Sequence, residues 1–494
     1  MRAYVGHQAD RLELAWGRGS EALARRRDAL RAVSGRTVGI AVTLAIVALV
    51  AFAIGFRNFL WGPQVAVAEL LPYPDRATAL LSAWASPWQT VGLGQPGPAS
   101  PALALLGIVP IVTFGAATAA QKFLVLGLGA IAFLGAYHVI GEVVDRRARL
   151  VSGLVYALGA VGYAAVRDGD LGAMLFGAAA PFVLHSLIRL TGWVRPAGWN
   201  RNRAVARVAL GAAVSASLVP GALLFYLLAA VLLAVFRMEV DSSARRSSGL
   251  AAAIFGLALA WALLLPWSAT WLSPGGAFNY LLADQTWHRF AANYRGTGMG
   301  SVLLGQTPDI PPLLGLALPL LGVVALVTAQ GQRRRLALAF WGIIAMSGVL
   351  MAATAGGAIR PVMSTPTDAG VLAAVAFAGL AGIAAAAWRM DLPRRPRGFI
   401  HTFSAGAIAL SVLLAVVGIV PAIVRGEWAP GRGEGGGDPV SAAEVRSIFA
   451  AESSETGQFR ALWVGEKWAS GRPTVARPDA DTFVTGARGH VLSD

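Results

Sequence analysis

The chain has 494 residues, of which 56% are hydrophobic and 14% charged, and its mean hydropathy is +0.60. Soluble domains carry about 25% charged residues, so this composition excludes an ordinary soluble globular protein. The formal net charge is +15 and there is no cysteine, which excludes disulfides, thiolate catalysis and cysteine-based metal sites.

The basic excess has two interpretations, since basic chains bind nucleic acid and basic loops hold membrane proteins at the cytoplasmic face. Apolar runs of about 17 to 25 residues recur along the chain, which is the length that a helix needs to cross a bilayer. The runs are continuous and rich in Ala, Leu, Val and Gly, which favours helices over a β-barrel. The sequence therefore predicts an all-α polytopic membrane protein surrounded by membrane lipids, with no nucleic-acid partner.

Residues 1–36 form a predicted basic cytoplasmic helix, and the first span, 37–57, follows as an uncleaved anchor. It opens a multi-span transmembrane domain, 37–424, in which about 11 transmembrane helices are predicted. The further spans are 121–140, 150–166, 171–190, 206–219, 221–236, 249–271, 311–329, 336–353, 369–388 and 399–424.

The run 101–118 is short and begins with Pro101. If it crosses the membrane there are twelve spans, and the basic loops after it fall on alternating sides, against the positive-inside rule. If it is a re-entrant or interfacial helix there are eleven. The arginine-rich segments 145–149, 189–207, 237–246, 332–335 and 389–397 then share one side. The sequence favours eleven, in the plasma membrane, with the N-terminus cytoplasmic and the C-terminus extracytoplasmic.

The segment 203–236 has arginine near both ends and "VPGALL" in its middle, which predicts a helical hairpin rather than one long span. The predicted outer loops are 58–120 and 272–310. A linker and exported C-terminal lobe, 425–494, begin with "GRGEGGGDP". The lobe continues with a predicted helix, "AAEVRSIFAAES", and a predicted strand, "FRALWVGE", so we expect a small α+β lobe.

Two carboxylates in the first outer loop are the candidate catalytic residues. Glu69 and Asp75 flank "LLPYP" just beyond the first span, where a carboxylate can act as general base on a sugar hydroxyl. The alternative is a solvated loop in which Asp75 pairs with Arg76 or caps the helix "RATALLSAW". Arg76 is also a candidate substrate-binding residue.

Aromatic and basic residues of the outer loops are further candidates for substrate binding. Trp84 and Trp88 are four residues apart, so on a helix they would share one face and either stack on a sugar ring or lie at the lipid headgroup level. In the second loop the arginines could bind a lipid-linked phosphate, or the segment could be an amphipathic surface helix. The second-loop candidates are Asp284, His288, Arg289 and Arg295.

The sequence predicts no metal site and no nucleotide or redox cofactor. It has no HExxH spacing, and the triplets "DGD" at 168–170 and "DAD" at 479–481 lack a nucleotide-binding domain around them. His138 and His185 lie within predicted spans, as packing residues or as functional ones. The scarcity of charge within the spans disfavours a proton-coupled transporter.

The stretch "WASPWQTVGLGQPGPASPALALLGI" resembles the region after the first span in large multi-pass actinobacterial proteins. These include arabinofuranosyltransferase-like enzymes with the C-type glycosyltransferase (GT-C) fold, and in several relatives a family 2 glycosyltransferase domain precedes the membrane region. The basic N-terminal stretch and "FRALWVGE" look like matching parts. The resemblance implies a catalytic carboxylate in the first outer loop and a polyprenyl-phosphate sugar as donor. In the glycosyltransferase hypothesis below, the phosphate of this donor would meet Arg76 or Arg289.

The resemblance leaves two functional hypotheses. The first is an integral membrane glycosyltransferase that transfers a polyprenyl-phosphate-linked sugar to a glycan acceptor at the outer face, in cell-envelope glycan synthesis. The second is a non-catalytic membrane subunit that docks a separate glycosyltransferase, or that handles or translocates its lipid-linked glycan. The second stays open because Glu69 and Asp75 form no paired acidic motif of the kind that is usual in this fold.

Overall fold

A computed structural model describes much of the chain after residue 50. The described residues are 50, 53–65, 70, 73–74, 76–89, 95–157, 159, 162, 165–166, 169–194, 199–237, 243–272, 317–355, 366–387, 423–426, 461–464 and 473–476. Contacts divide the chain into two units, Met1–Gly55 and Phe56–Asp494. In the first unit only residues 50 and 53–55 are described, and they are helical; all elements named below belong to the second unit.

The described part of the second unit is mainly helical. Its helices are α1 (Arg57–Trp61), α2 (Ala79–Ala85), α3 (Pro101–Val112), α4 (Ala117–Val139), α5 (Arg146–Ala157), α6 (Leu171–Leu190), α7 (Arg201–Leu218), α8 (Ala222–Phe236), α9 (Ser243–Leu263), α10 (Ala317–Thr328), α11 (Gln332–Ala355) and α12 (Pro366–Ala387). A 3-10 helix, Trp267–Leu272, follows α9. Helices α4 to α12 overlap predicted spans, whereas α1, α2 and α3 lie mostly in the predicted outer loop 58–120.

Two of these helices, α4 and α6, are long and apolar enough to cross a membrane by length and composition. At 1.5 Å per residue, the 20 residues of α6 extend about 30 Å, which matches the hydrocarbon thickness of a bilayer. Shorter apolar segments of 10 to 17 residues lie in α3, α8, α9, α10 and α12. The count of about 11 transmembrane helices stays a prediction, and most of the predicted spans 37–57 and 399–424 lies outside the described residues.

Helix α6 is central, since it packs against α4, α7, α8, α9 and α12. Neighbouring side chains of α6 fit against glycines of two helices. A Cβ atom on Gly135 of α4 would lie 2.8 Å from the Phe182 ring, and one on Gly211 of α7 would lie 2.6 Å from Val183. Glycine at these positions lets the helix backbones approach closely, as in helix packing within membranes.

The predicted hairpin in 203–236 is present. Helix α7 ends at Leu218 and α8 begins at Ala222, so the chain turns at Pro220 and Gly221. The buried hydroxyl groups of Ser215 and Tyr226 lie 2.8 Å apart and join the two arms. A buried hydroxyl that is paired in this way avoids the cost of losing its hydrogen bond to water.

Helix α3 is too short to cross a bilayer by itself, since its 12 residues extend about 18 Å. Ser100 caps its first turn by accepting a hydrogen bond from the Ala102 amide, and Pro101 occupies the first turn, where proline needs no amide partner. The helix ends before Phe114, whose φ of 55° is left-handed and whose side chain is 98% exposed. The break separates α3 from α4, and the choice between eleven and twelve spans stays a prediction.

The described strands form two short antiparallel pairs. In the first loop, β1 (Trp88–Gln89) pairs with β2 (Gln95–Pro96). In the predicted C-terminal lobe, β3 (Ala461–Val464) pairs with β4 (Pro473–Ala476). Strand β3 lies within "FRALWVGE", where a strand is predicted, and the helix predicted before it lies outside the described residues. The α+β lobe as a whole, and the domain bounds 1–36, 37–424 and 425–494, stay predictions.

Candidate functional site

Hydrogen bonds gather the described loops and helix ends into two groups at opposite ends of α4, α6 and α7. We name them by what they contain. The first-loop face comprises residues 57–65, 70, 73–74, 76–89, 95–100, 118–122, 169–170, 217 and 424–426. The arginine face comprises residues 138–149, 185–193, 200–207, 233–237, 248 and 332–335. The candidate catalytic loop belongs to the first of them.

The first-loop face is held by a buried glutamine in the second turn of α4. The side-chain oxygen of Gln121 accepts a hydrogen bond from the Val65 amide at 3.0 Å, and its amide nitrogen donates to the Val65 carbonyl at 2.7 Å. Gln121 is 0% exposed. Its side chain therefore pairs with the loop backbone on both sides, as a neighbouring β-strand would, and satisfies two buried backbone groups.

Further contacts hold the loop on either side of Val65. The ammonium group of Lys122 donates to the Gly62 carbonyl at 2.8 Å, and the Leu70 amide donates to the Gly169 carbonyl at 3.1 Å. Leu70 is buried. The chain is thus attached to α4 before Glu69 and to the turn that precedes α6 immediately after it.

The end of the first loop is also attached to the helices. The Ser100 hydroxyl donates to the Ser217 carbonyl at the end of α7, over 2.8 Å. The start of the first loop contacts residues 424–426. Arg57 donates to the Val424 carbonyl at 2.9 Å, and Asn58 donates to the Gly426 carbonyl at 3.1 Å. The ends of the predicted first and last spans therefore lie on one face.

The predicted catalytic residues Glu69 and Asp75 lie outside the described residues, and so do Asp284, His288, Arg289 and Arg295. Between the first two, Tyr73 and Pro74 are buried. Burial raises the pKa of the Tyr73 phenol, so this group keeps its proton and its capacity to donate a hydrogen bond. Arg76, which follows Asp75, is exposed.

Two expectations for this loop are wrong. Trp84 and Trp88 do not share a helix face, because α2 ends at Ala85 and Trp88 lies in β1. The reason is Pro87, which disfavours the helical conformation in the preceding residue; Ser86 is extended, with ψ of 133°. Trp84 itself is 45% exposed on α2.

The second correction concerns the cap of this helix. Helix α2 begins at Ala79, three residues later than predicted, and Thr78 occupies its N-cap position. The interpretation of Asp75 as the N-cap of this helix is therefore wrong. In the "DGD" triplet, by contrast, an aspartate does cap a helix. Asp170 caps α6 by accepting a hydrogen bond from the Ala173 amide at 2.8 Å. Asp170 thus has a structural role, and Asp168 lies outside the described residues.

The arginine face is built by guanidinium groups that donate to backbone carbonyls and to one carboxylate. Arg149 donates to the Val144 carbonyl at 3.3 Å and Arg333 to the neighbouring Val143 carbonyl at 3.0 Å. Arg189 forms an ion pair with Glu142. Three helices, α5, α6 and α11, thereby converge on the connection between α4 and α5.

The same face joins the later connections. Arg237 donates to the Thr191 carbonyl, Gln332 to the Trp193 carbonyl and Arg201 to the Ser248 carbonyl. These contacts bring together four of the arginine-rich segments that the positive-inside rule assigns to one side. The fifth, 389–397, lies outside the described residues.

The side chains of His138 and His185 both contact backbone carbonyl groups. His138 Nδ1 lies 2.7 Å from the Leu134 carbonyl oxygen, and His185 Nδ1 lies 3.3 Å from that of Val139. An Nδ1 atom that faces a carbonyl carries the proton, so both contacts support packing roles. Across the part of the chain that the structure describes, no three His, Asp or Glu side chains gather as a metal site requires.

Sequence reasoning missed Gln121. The available signal is a polar "QK" pair at the start of an apolar run, at 121–122. A glutamine inside a predicted span needs a hydrogen-bond partner. The sequence does not identify that partner, because Val65 lies 56 residues away.

Comparisons with known proteins include a similar solved structure. No protein-family model matches the chain, and no curated protein matches it. Among solved structures, the chain is similar to a mutant of arabinofuranosyltransferase AftD from mycobacteria, with 17% identity and a TM-score of 0.46. The similarity covers 83% of this chain and 30% of that one, so this chain spans about a third of that protein's length. A TM-score of 0.46 is below the level that shows a shared fold.

Proposed function

We propose that this protein is an integral membrane glycosyltransferase that uses a polyprenyl-phosphate-linked sugar at the outer face of the plasma membrane. The activity is that implied by the sequence resemblance of the first loop. The observation that carries the proposal is the attachment of that loop: Gln121 holds Val65, and Gly169 holds Leu70, on either side of Glu69. A catalytic group needs such fixed neighbours.

Membrane orientation is supported by the separation of the two faces. Helix α4 begins on the first-loop face and ends on the arginine face, and its 23 residues extend about 34 Å, enough to cross a hydrocarbon core of about 30 Å. Arginine is concentrated at one end of the helices, which the positive-inside rule assigns to the cytoplasm. We therefore assign the first-loop face to the outside, with the N-terminus cytoplasmic and the C-terminus extracytoplasmic.

The proposed reaction is a direct displacement at the anomeric carbon. The acceptor hydroxyl oxygen forms a bond to that carbon while the bond to the phosphate oxygen breaks, and the polyprenyl phosphate leaves with the electron pair. Glu69 or Asp75 takes the hydroxyl proton as general base. Arg76 stabilises the charge on the leaving phosphate. Tyr73, which lies between the two carboxylates in the sequence, is buried and stays protonated.

The proposal is tested by comparing lipid-linked sugars and cell-envelope glycans in a deletion strain. The strain is complemented with the wild type, with the Glu69→Gln, Asp75→Asn double variant, or with Glu239→Gln. The amide variants keep side-chain size and remove only the basic carboxylates. We expect the wild type and Glu239→Gln to restore the missing glycan, and the double variant to lose it at equal protein abundance.

The alternative function gives a different result in the same experiment. If the protein is a non-catalytic subunit that docks a separate glycosyltransferase or handles its lipid-linked glycan, the double variant restores the glycan fully. Such an outcome would overturn the catalytic assignment. The control residue, Glu239, lies in a segment predicted to be cytoplasmic, so it tests whether loss of any carboxylate reduces function.

A further inference from the structure

A cluster of four arginines surrounds the connection between α4 and α5. Arg149, Arg189 and Arg333 contact consecutive residues of this connection, as described above, and the exposed Arg207 lies in the first two turns of α7, which packs against α6, the helix that carries Arg189. We call these four residues the arginine cluster. They come from α5, α6, α7 and α11, so only the folded helical bundle brings them together.

The positive charge of the arginine cluster exceeds the negative charge of the loop inside it. The connection, 139–145, carries two carboxylates, Glu142 and Asp145, against four guanidinium groups. Within the described residues, Arg207 makes no hydrogen bond, and Arg149 and Arg333 each use only the Nε donor. A guanidinium has five N–H donors, so most donors of these three residues remain for an anion.

Exposed apolar side chains border the arginine cluster on the side toward the middle of the helices. On α7, the exposed Arg207 is followed three residues later by Leu210, which is 61% exposed. On α5, the exposed Leu150 and Leu154 follow Arg149. Guanidinium groups next to exposed aliphatic side chains at a helix end match the boundary between lipid headgroups and acyl chains.

We propose that the arginine cluster binds the phosphate group of an anionic phospholipid in the leaflet that contacts the arginine face. The guanidinium donors fit phosphate oxygens, and Leu210, Leu150 and Leu154 fit the acyl chains. An acidic soluble protein would satisfy the charge but would leave the apolar border without a partner. The inference rests on the proposed membrane orientation and does not require glycosyltransferase activity.

The test measures lipid binding by the full-length protein in detergent micelles. Phosphatidylglycerol and phosphatidylcholine are titrated separately, and native mass spectrometry counts the lipids bound. A basic residue near an anionic surface contributes about a fivefold gain in affinity, so the wild type should prefer phosphatidylglycerol by about 25-fold from two excess positive charges. The Arg149→Gln, Arg207→Gln double variant should lose most of this preference.

Two controls separate the cluster from general charge and from misfolding. Arg425→Gln removes an exposed guanidinium from the first-loop face and should keep the preference. Arg149→Lys, Arg207→Lys keeps both charges and should keep most of it. The double glutamine variant should elute and unfold as the wild type does in phosphatidylcholine.

The following results would overturn the proposal. One is equal affinity of the wild type for the two lipids, and another is an undiminished preference in the double glutamine variant. A third is the loss of a co-purifying acidic protein from that variant with lipid binding unchanged, which would assign the cluster to a protein partner. None of these readouts measures the glycan. Lipid binding can therefore fail while the proposed glycosyltransferase function holds, and the glycosyltransferase function can fail while lipid binding holds.

Discussion

The two faces lie at opposite ends of the same helices, and one contact on the first differs in chemistry from the guanidinium contacts on the second. On the first-loop face, Gln121 makes two neutral hydrogen bonds to the Val65 backbone from a position that is 0% exposed. On the arginine face, Arg149 and Arg333 bring full charges to backbone carbonyls near the surface. Neutral buried bonds are costly to break, whereas partly exposed charged ones are weakened by salt and can exchange for bonds to other anions.

This difference fits different tasks. If the first loop carries the proposed catalytic carboxylate, it has to keep its position within about half an ångström, and the buried Gln121 amide fixes the loop at Val65. A face that contacts a lipid surface has to accept changing partners, and guanidinium donors that are only partly used allow it. The comparison makes three predictions, which follow in order of decreasing effect.

The largest expected effect is on the chemical labelling of introduced cysteines from the two sides of the membrane. Since the chain has no cysteine, each single substitution introduces the one reactive thiol. Ser82→Cys is exposed on the first-loop side and Asn202→Cys on the arginine face. In intact cells a membrane-impermeant maleimide should label the first and not the second, and permeabilisation should make the second reactive.

A second pair checks the orientation independently. Arg425→Cys should react in intact cells, and Gln330→Cys, next to α11, should react only after permeabilisation. Labelling of all four variants in intact cells would place both faces on one side and contradict the membrane orientation. Labelling of only Asn202→Cys and Gln330→Cys in intact cells would show that the membrane orientation is the reverse of the proposed one.

The outline of the fold is readable from the sequence because apolar length and arginine position are local properties. The predicted span 171–190 coincides with α6, and the proline and glycine between α7 and α8 mark the observed turn. The break after α2 was also encoded locally, in Pro87, but the four-residue spacing of the tryptophans concealed it.

The contacts of the two faces are not readable in this way. Gln121 and Val65 are 56 residues apart, and Arg333 and Val143 are 190 apart. The acceptors are backbone carbonyls, which every residue possesses, so no side-chain pattern identifies them. The sequence predicts on which side of the membrane an arginine lies. Which carbonyl group it contacts depends on how the helices pack.

The second prediction concerns the buried amide. Gln121→Leu should lower the free energy of unfolding by about 2–5 kcal/mol, because it leaves the buried amide and carbonyl of Val65 unpaired. Thermal unfolding in detergent measures the loss. Thr118→Val, one turn earlier, is the matched control, since its hydrogen bond to Gln64 is long, at 3.5 Å, and should contribute less than about 1 kcal/mol. Equal effects of the two substitutions would contradict a special role for Gln121.

The smallest expected effect is on the ion pair between Glu142 and Arg189. Their side chains are 20% and 22% exposed, so the pair is partly screened, and Glu142→Gln should reduce the free energy of unfolding by only about 0.5–1 kcal/mol. The distinguishing readout is salt dependence. Raising the salt concentration from about 0.1 M to about 1 M shortens the Debye length from about 10 Å to about 3 Å.

The added salt should therefore destabilise the wild type slightly and Glu142→Gln less. Gln121→Leu should retain the full salt dependence of the wild type, because the bonds it removes are neutral. If Gln121→Leu changed the salt response and Glu142→Gln did not, the description of the Gln121 contact as neutral and of the Glu142–Arg189 contact as charged would be wrong. Measuring all three proteins at both salt concentrations thus tests the contrast between the faces directly, independently of any effect on activity.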